Sequence, residues 1–233
     1  MKTRLIFFIL IILQAGFVFP LSGQNKYEKE RTDMVNRQIK ARGINDKNTL
    51  NAMKTVERHL FVPDVNKSRA YEDRPLTIGY GQTISQPYIV AYMTELLNVG
   101  PGDTVLEIGT GSGYQAAVLA EFVSWVYTIE IVEELGLSAK ERLKALKYNN
   151  VKVKVDDGYY GWEEYGPFDG IVVTAASAYI PPPLIDQLKD GGKMIIPVGS
   201  PFGVQTLMMI TKRGEEITTN SLMPVRFVPF TRK

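Results

Sequence analysis

The sequence predicts an α/β protein with a largely parallel sheet and an antiparallel hairpin at its C-terminal end. Three observations carry this. Short apolar runs alternate with helical stretches between residues 104 and 198, and a glycine-rich turn sits directly between the first run and the helix after it. Near the end, two strand-like segments flank Lys212-Arg213-Gly214-Glu215. Strands joined through helices cross over right-handed, and the resulting parallel sheet is covered on both faces.

In chain order, Met1-Lys2-Thr3-Arg4 is a short positive stretch before the unbroken apolar run Leu5 to Leu13. Gln14, Gly16 and Pro20 interrupt the run, and Leu21-Ser22-Gly23 offers small residues at a cleavage point. This layout predicts a secretory signal peptide over residues 1–23, and hence an exported or periplasmic protein. An uncleaved membrane anchor is the second reading, although the run falls short of the ~20 apolar residues a span needs.

Residues 24–88 read as a helical segment that contacts substrate. Tyr27–Arg42 carries Met34, Val35 and Ile39 at helical spacing and stops at Gly43, and Asp46 caps a second helix reaching Val56. His59 is expected to end that helix or bond a backbone carbonyl. Residues 64–88 are rich in Pro, Gly, Asp and Tyr and read as one irregular connection, of a length that is usually functional.

Residues 89–233 form the core and the hairpin. Strands are expected at Thr104–Ile108, Trp125–Ile129, Val151–Val155, Ile171–Thr174 and Met194–Val198. Helices are expected at Tyr114–Phe122, Val132–Leu146 and Pro183–Leu188, the last with Pro at its start. Asp190-Gly191-Gly192 reads as the turn into the fifth strand, and Thr206–Thr211 and Glu216–Ser221 as the hairpin.

Composition removes several chemistries. Of 233 residues 45% are hydrophobic, enough for a sizeable core. There is no cysteine, so disulfides, thiolate metal sites and cysteine nucleophiles are excluded. His59 is the single histidine, which excludes multi-histidine metal sites, and no metal is expected. Of 27 basic residues, Lys2 and Arg4 lie in the leader, leaving 25 against 25 acids. A neutral body lacks the footprint of a nucleic-acid binder.

The chemistry-bearing block is Glu107-Ile108-Gly109-Thr110-Gly111-Ser112-Gly113, between a strand and a helix. Gly109, Gly111 and Gly113 allow a tight turn and a close backbone approach to a ligand. The spacing departs from the dinucleotide G-x-G-x-x-G, and no Lys-Ser/Thr pair follows to serve a triphosphate. Glu130 ends the second strand, placed to accept both hydroxyls of a ribose, and Asp157-Gly158 ends the third, suited to the amino edge of an adenine. With Glu107 these acids repel a diphosphate and favour a cationic centre. The matching ligand is adenosine-containing, phosphate-free and positively charged: S-adenosylmethionine. The competing reading takes the acids as surface charges at strand ends.

From about Asp33 to Phe230 the chain resembles the protein-L-isoaspartate (D-aspartate) O-methyltransferase family. The resemblance rests on Ala41-Arg42-Gly43-Ile44, Arg58-His59-Leu60-Phe61-Val62-Pro63 and Gly81-Gln82-Thr83-Ile84-Ser85-Gln86-Pro87-Tyr88. It rests further on Val105 to Tyr114, on Pro182 to Leu188, and on Val225-Arg226-Phe227-Val228-Pro229. The glycine block is common to many methyltransferases, whereas the Thr-Ile-Ser and Val-Arg-Phe-Val-Pro blocks are more particular. The resemblance implies a Rossmann-like S-adenosylmethionine-dependent methyltransferase fold. It also implies methylation of the free carboxylate of isoaspartyl residues in damaged proteins and peptides, whose ester cyclises to a succinimide and returns some normal aspartate. By the same resemblance Ser85 is the active-site serine, and Thr83, Ile84, Arg226, Phe227 and Val228 line the substrate groove. Asp156 stands where the family commonly has glycine.

The chemistry of the residues agrees. A carboxylate with pKa ~4 is ionised at neutral pH and needs no general base. Positioning of oxygen, methyl and sulfur supplies the rate, and neutral donors suit a reaction in which charge is annihilated. Ser85 is therefore expected to orient the acceptor through a hydrogen bond, not to attack, while a helix N-cap before Pro87 is its structural alternative. Two other readings stay open: a methyltransferase acting on a small molecule or RNA, and a binding protein without catalysis. A monomer is expected, with no nucleic-acid partner and membrane contact only through an uncleaved leader.

Overall fold

The computed structural model describes residues 21–200 and 202–233. The expected leader lies, up to residue 20, outside the described residues. No described helix is long and apolar enough to cross a membrane.

The N-terminal helix α1 (Leu21–Asp33) continues as a π-helical turn, Met34–Ile39, and a 3₁₀ turn, Lys40–Arg42. Gly43, at φ +99°, ends the run in a left-handed conformation that favours glycine. Met34, Val35 and Ile39 are fully buried, as their spacing predicts. Helix α2 (Lys47–Thr55) starts where expected: the Asp46 carboxylate accepts from the Thr49 amide at 2.7 Å.

The stretch expected to be irregular is in fact ordered. A 3₁₀ turn covers Asp64–Arg69, and β1 (Leu76–Gly79) and β2 (Gln82–Ile84) form a hairpin. Tyr80 and Gly81 turn it with φ of +53° and +71°, the geometry of a two-residue hairpin loop. Such loops usually advertise themselves as Asn-Gly, and a tyrosine at positive φ conceals this one. Helix α3 (Pro87–Leu97) follows, with Pro at its first turn. The expected boundary between residues 88 and 89 falls within α3.

The main sheet has seven strands: β3 (Thr104–Ile108), β4 (Trp125–Glu130), β5 (Val151–Val155), β6 (Phe168–Val173), β7 (Leu188–Val198), β8 (Gln205–Arg213) and β9 (Glu216–Val225). Their spatial order is β5-β4-β3-β6-β7-β8-β9; pairs from β5 to β7 are parallel, and β8 and β9 are antiparallel. The connecting helices are α4 (Tyr114–Ala120), α5 (Glu133–Ala145) and α6 (Pro182–Asp186).

One expectation is corrected here. Asp190-Gly191-Gly192 is not the turn before the fifth strand but lies inside β7, where the pairing with β6 shifts register between Phe168 and Gly170. Two glycines in a row read as a turn, yet a bulge uses the same backbone freedom.

Strand residues alternate between two cores. Val105, Val126, Val172, Ile195 and Leu207 face one layer with α3 and α4, and Leu106, Tyr127, Ile171, Met194 and Ile210 face the layer under α6. Each fully buried aliphatic or aromatic side chain contributes about 1.5–3 kcal/mol. The central strands are thereby fixed on both faces, leaving their carboxyl ends as a rigid platform. Between β3 and β6 the chain winds in opposite directions, and that switch point opens a crevice.

Candidate active site

The turn after β3 is set by Gly109, at φ +99°. A Cβ there would run into the Thr174 hydroxyl, which donates to the Gly109 carbonyl at 2.7 Å. Backbone conformation and available space therefore both demand glycine. Gly111 lines the crevice, while Gly113 sits at the start of α4 against Leu143 and shapes the turn from behind.

Glu130, at the end of β4, accepts from the Gly111 amide at 2.7 Å and the Val132 amide at 3.0 Å. The two bonds aim its carboxylate across the crevice and leave lone pairs on both oxygens. Glu107, at the end of β3, is fully buried. The Thr128 hydroxyl donates to its Oε2 at 2.5 Å and accepts from Thr110 at 2.6 Å, while Oε1 has no partner among the described residues. Burial pushes the Glu107 carboxyl up to about 8; the Thr128 bond opposes the rise and the nearby charge of Glu130 adds to it. A buried acid with one unbonded oxygen suits a cation or a hydrogen-bond donor.

Asp157, expected at the amino edge of an adenine, is also held by partners within the protein. Its Oδ1 accepts from the Tyr159 amide at 3.0 Å, and its Oδ2 accepts from Arg232 Nε at 2.8 Å. Burial alone would raise its pKa, but the Arg232 and backbone hydrogen bonds prevail and lower it. Its neighbour Gly158 lines the crevice, where a Cβ would meet the Ile108 side chain. A partner 75 residues away leaves no trace in the local spacing around Asp157.

Three cavities meet here. A cleft of about 540 Å³ runs along Gly109, Gly111, Glu130 and Gly158 and is covered by Val228 to Thr231. A narrow pocket of about 330 Å³ reaches Glu107 past Ile84 and Ser85. A groove of about 1010 Å³ leads outward between Ser85 and the segment Met223 to Val228, with Arg42 at its edge. Thr83 and Thr174 line all three.

The Thr83-Ile84-Ser85 block and the Arg226-Phe227-Val228 block are thus brought together across the groove. Ser85 lines groove and pocket alike, and among the described residues its hydroxyl makes no hydrogen bond. It is not the cap of α3: Gln86 holds that position, with no side-chain bond. The facing segment is fixed by Gln205, whose Oε1 accepts from the Phe227 amide at 2.9 Å, and by the Ala176 amide donating to the Val228 carbonyl at 2.8 Å.

His59 takes no part. Its Nδ1 lies 2.8 Å from the Tyr71 hydroxyl and its ring stacks on Tyr27 at 4.0 Å, so its partner is a side chain and not a backbone carbonyl. Sequence reasoning missed Thr174, Gln205 and the covering tail. Thr174 was within reach of it, because residues following the carboxyl end of a central strand line the crevice.

Residues 29–233 match the family model described as protein-L-isoaspartate(D-aspartate) O-methyltransferase. The chain is 63% identical over 187 residues to protein-L-isoaspartate O-methyltransferase 2 of Syntrophobacter fumaroxidans, covering 80% of this chain and 76% of that one. It is 49% identical to the Shewanella sediminis protein of the same name, over 99% of this chain and 96% of that one. Among solved structures it resembles a Plasmodium falciparum chain described as a protein-L-isoaspartate O-methyltransferase in complex with S-adenosyl-L-homocysteine. The TM-score is 0.73 and the identity 29%, over 89% of this chain and 99% of that chain.

Proposed function

The chain belongs to the protein-L-isoaspartate(D-aspartate) O-methyltransferase family, and on that premise we propose how its three cavities divide the work. It is an S-adenosylmethionine-dependent carboxyl methyltransferase that acts on isoaspartyl residues of damaged proteins. The observation that carries the division of roles is the meeting of cleft, pocket and groove at Thr83 and Thr174.

The residues present suit the cofactor. The cleft closes around a turn where a Cβ at Gly109 would collide, and Glu107 keeps a buried oxygen free. Gly109, Gly111 and Gly158 would border the adenosine, Glu130 would accept from the ribose hydroxyls, and Glu107 would face the positively charged end. S-adenosylmethionine supplies an electrophilic methyl on a sulfonium centre.

The protein's own part is binding and aim. The acceptor carboxylate arrives ionised, so no base is required, and the single histidine is committed elsewhere. Thr83 and Ser85 form one wall for the peptide, with Ile84 buried between them on the inner pocket, and Arg226, Phe227 and Val228 form the other. The free Ser85 hydroxyl donates to one acceptor oxygen and leaves the second pointed at the methyl group. A neutral donor holds the anion with less bias toward the ground state than a cation would show, which suits a transition state in which the charge disappears. Walls fixed by Gln205 and Ala176 hold that geometry, and positioning supplies ~7–11 kcal/mol of the barrier.

The test uses labelled S-adenosylmethionine with an isoaspartyl peptide and its aspartyl twin. Label entering only the isoaspartyl peptide is expected; equal labelling of the twins refutes the reading. Residues 1–23 we read as an export signal, supported by their positive start, apolar run and small-residue exit. Sequencing the mature N-terminus from fractionated cells checks this, since an intact Met1 in a cytoplasmic fraction excludes it. The protein is expected to act as a monomer, which its mass in solution tests.

A further inference from the structure

Arg58 lines none of the three cavities, yet it is fully buried. Its Nε donates to the Ala70 carbonyl and its Nη2 to the Ser85 carbonyl, each at 2.7 Å. The guanidinium carbon lies 4.8 Å from the centre of the Tyr114 ring, and Nη1 is buried with no hydrogen-bond partner among the described residues. No carboxylate among the described residues forms an ion pair with it. Buried arginines are nearly always paired, and an uncompensated buried charge costs several kcal/mol. Burial draws its pKa down to about 10, so the group remains a cation at neutral pH.

The position of this cation is informative. Ser85 sits between the end of β2 and the start of α3, and the first α3 bond goes to the Gln86 carbonyl, from the Val90 amide at 3.1 Å. The Ser85 carbonyl is therefore outside the helix, and Arg58, 27 residues earlier, is what holds it. With no bond on the serine hydroxyl among the described residues, the backbone is what fixes the Ser85 Cβ, and with it the arc of rotamers from which the hydroxyl can reach an acceptor. Tyr114, the ring beneath the guanidinium, also lines the pocket that reaches Glu107.

We propose that Arg58 is a positioning residue for methyl transfer: it fixes the Ser85 peptide from behind so that the serine hydroxyl meets the acceptor carboxylate. Its charge stays one layer away from the reacting oxygen. A cation directly on the acceptor would stabilise the ground state more than the charge-neutralising transition state. A cation behind the serine's peptide favours an anion in the groove without occupying the lone pair that must attack. This inference rests on the role given to Ser85 above.

The test is a double-mutant cycle between position 58 and Ser85→Ala, using Arg58→Lys and Arg58→Gln. Turnover, KM for the isoaspartyl peptide, S-adenosylhomocysteine affinity and melting temperature are measured for each protein. If Arg58 acts through Ser85, each single Arg58 variant loses turnover by about 10²-fold, as a misplaced group does. S-adenosylhomocysteine affinity then stays within about twofold, and adding Ser85→Ala costs little more, because the two residues act as a unit. Additive losses, a parallel fall in S-adenosylhomocysteine affinity, or failure of both variants to fold would each overturn the proposal. Failure of the methyltransferase reading looks different: the unaltered protein would then label both peptide twins or neither.

Discussion

Arg232, next to last in the chain, places its Nε 2.8 Å from Asp157 Oδ2 and its guanidinium carbon 3.6 Å above the Tyr159 ring. This contact ties the tail down after Val228 to Thr231 have crossed the cleft. The Phe230 amide donates to the Ala176 carbonyl at 2.8 Å and secures the crossing midway. Lys233 adds a weaker hold, its amide donating to the same Asp157 oxygen at 3.4 Å and its Nζ lying 3.9 Å from Asp156 Oδ1. A cover held at its tip by these side-chain contacts can lift without disturbing the sheet beneath it.

Arg232→Ala should therefore quicken exchange of the cofactor product. Both association and dissociation of S-adenosylhomocysteine are expected to speed up by about threefold or more, with a smaller change in affinity, since only the barrier is altered. Stopped-flow measurement decides it. Unchanged rates would mean the tail is not the gate.

Ser85→Ala should lower turnover ~10–100-fold through lost orientation while S-adenosylhomocysteine binds as before. Ser85 lines the groove and the narrow pocket but not the cleft proposed for adenosine, so calorimetric affinity has no reason to change. Loss of that affinity would contradict the role given to the hydroxyl. Melting temperature should also hold, because the side chain carries no hydrogen bond to forfeit.

Much of this arrangement is legible in the sequence, and the limit is physical. Thr104–Ile108 and Val151–Val155 are read to the residue, the first as a short β-branched apolar run just before a glycine turn and the second from its strict Val-Lys alternation. The Asp46 cap is local and equally plain. Contacts that span the chain are not: Thr174 to Gly109 covers 65 positions, Arg58 to Ser85 covers 27, and Arg232 to Asp157 covers 75. No spacing rule encodes them, so the supporting threonine, the buried arginine and the tail emerge only when the fold brings them together. Helix α3 and the β1–β2 hairpin failed for another reason: their punctuation, Gly-Tyr-Gly and Gln-Pro, resembles that of a loop.

Gly109→Ala should unfold the site locally. The new methyl group would need a positive φ and the space filled by the Thr174 hydroxyl, which adds a clash to a strain of about 1–3 kcal/mol. A fall in melting temperature and loss of S-adenosylhomocysteine binding are expected together. Adding Thr174→Ala removes the clash but not the φ, so it should restore part of the stability. No recovery in the double variant would show that the hydroxyl is not the obstacle.

Glu107→Gln separates the cost of this acid from its use. Its pKa rises from 4.5 in the free residue to about 8 when buried, so the native state keeps a proton that the unfolded chain gives up above 4.5. Stability from this group is therefore undiminished in acid, falls by up to about 1.4 kcal/mol per pH unit across that window, and levels off above 8. Glutamine has no proton to lose, so the variant should gain melting temperature over the unaltered protein as pH rises from about 5 to about 8. A gap that stays flat with pH would place the titration elsewhere. The cost has a use if a sulfonium lies beside the carboxylate, because a cation favours the ionised form. S-adenosylmethionine should then bind more tightly as pH rises through the upper part of the window and release a proton on binding. S-adenosylhomocysteine, which lacks the charge, should follow this trend less strongly. Titrations in buffers of different ionisation enthalpy measure that proton, and the glutamine variant should release none.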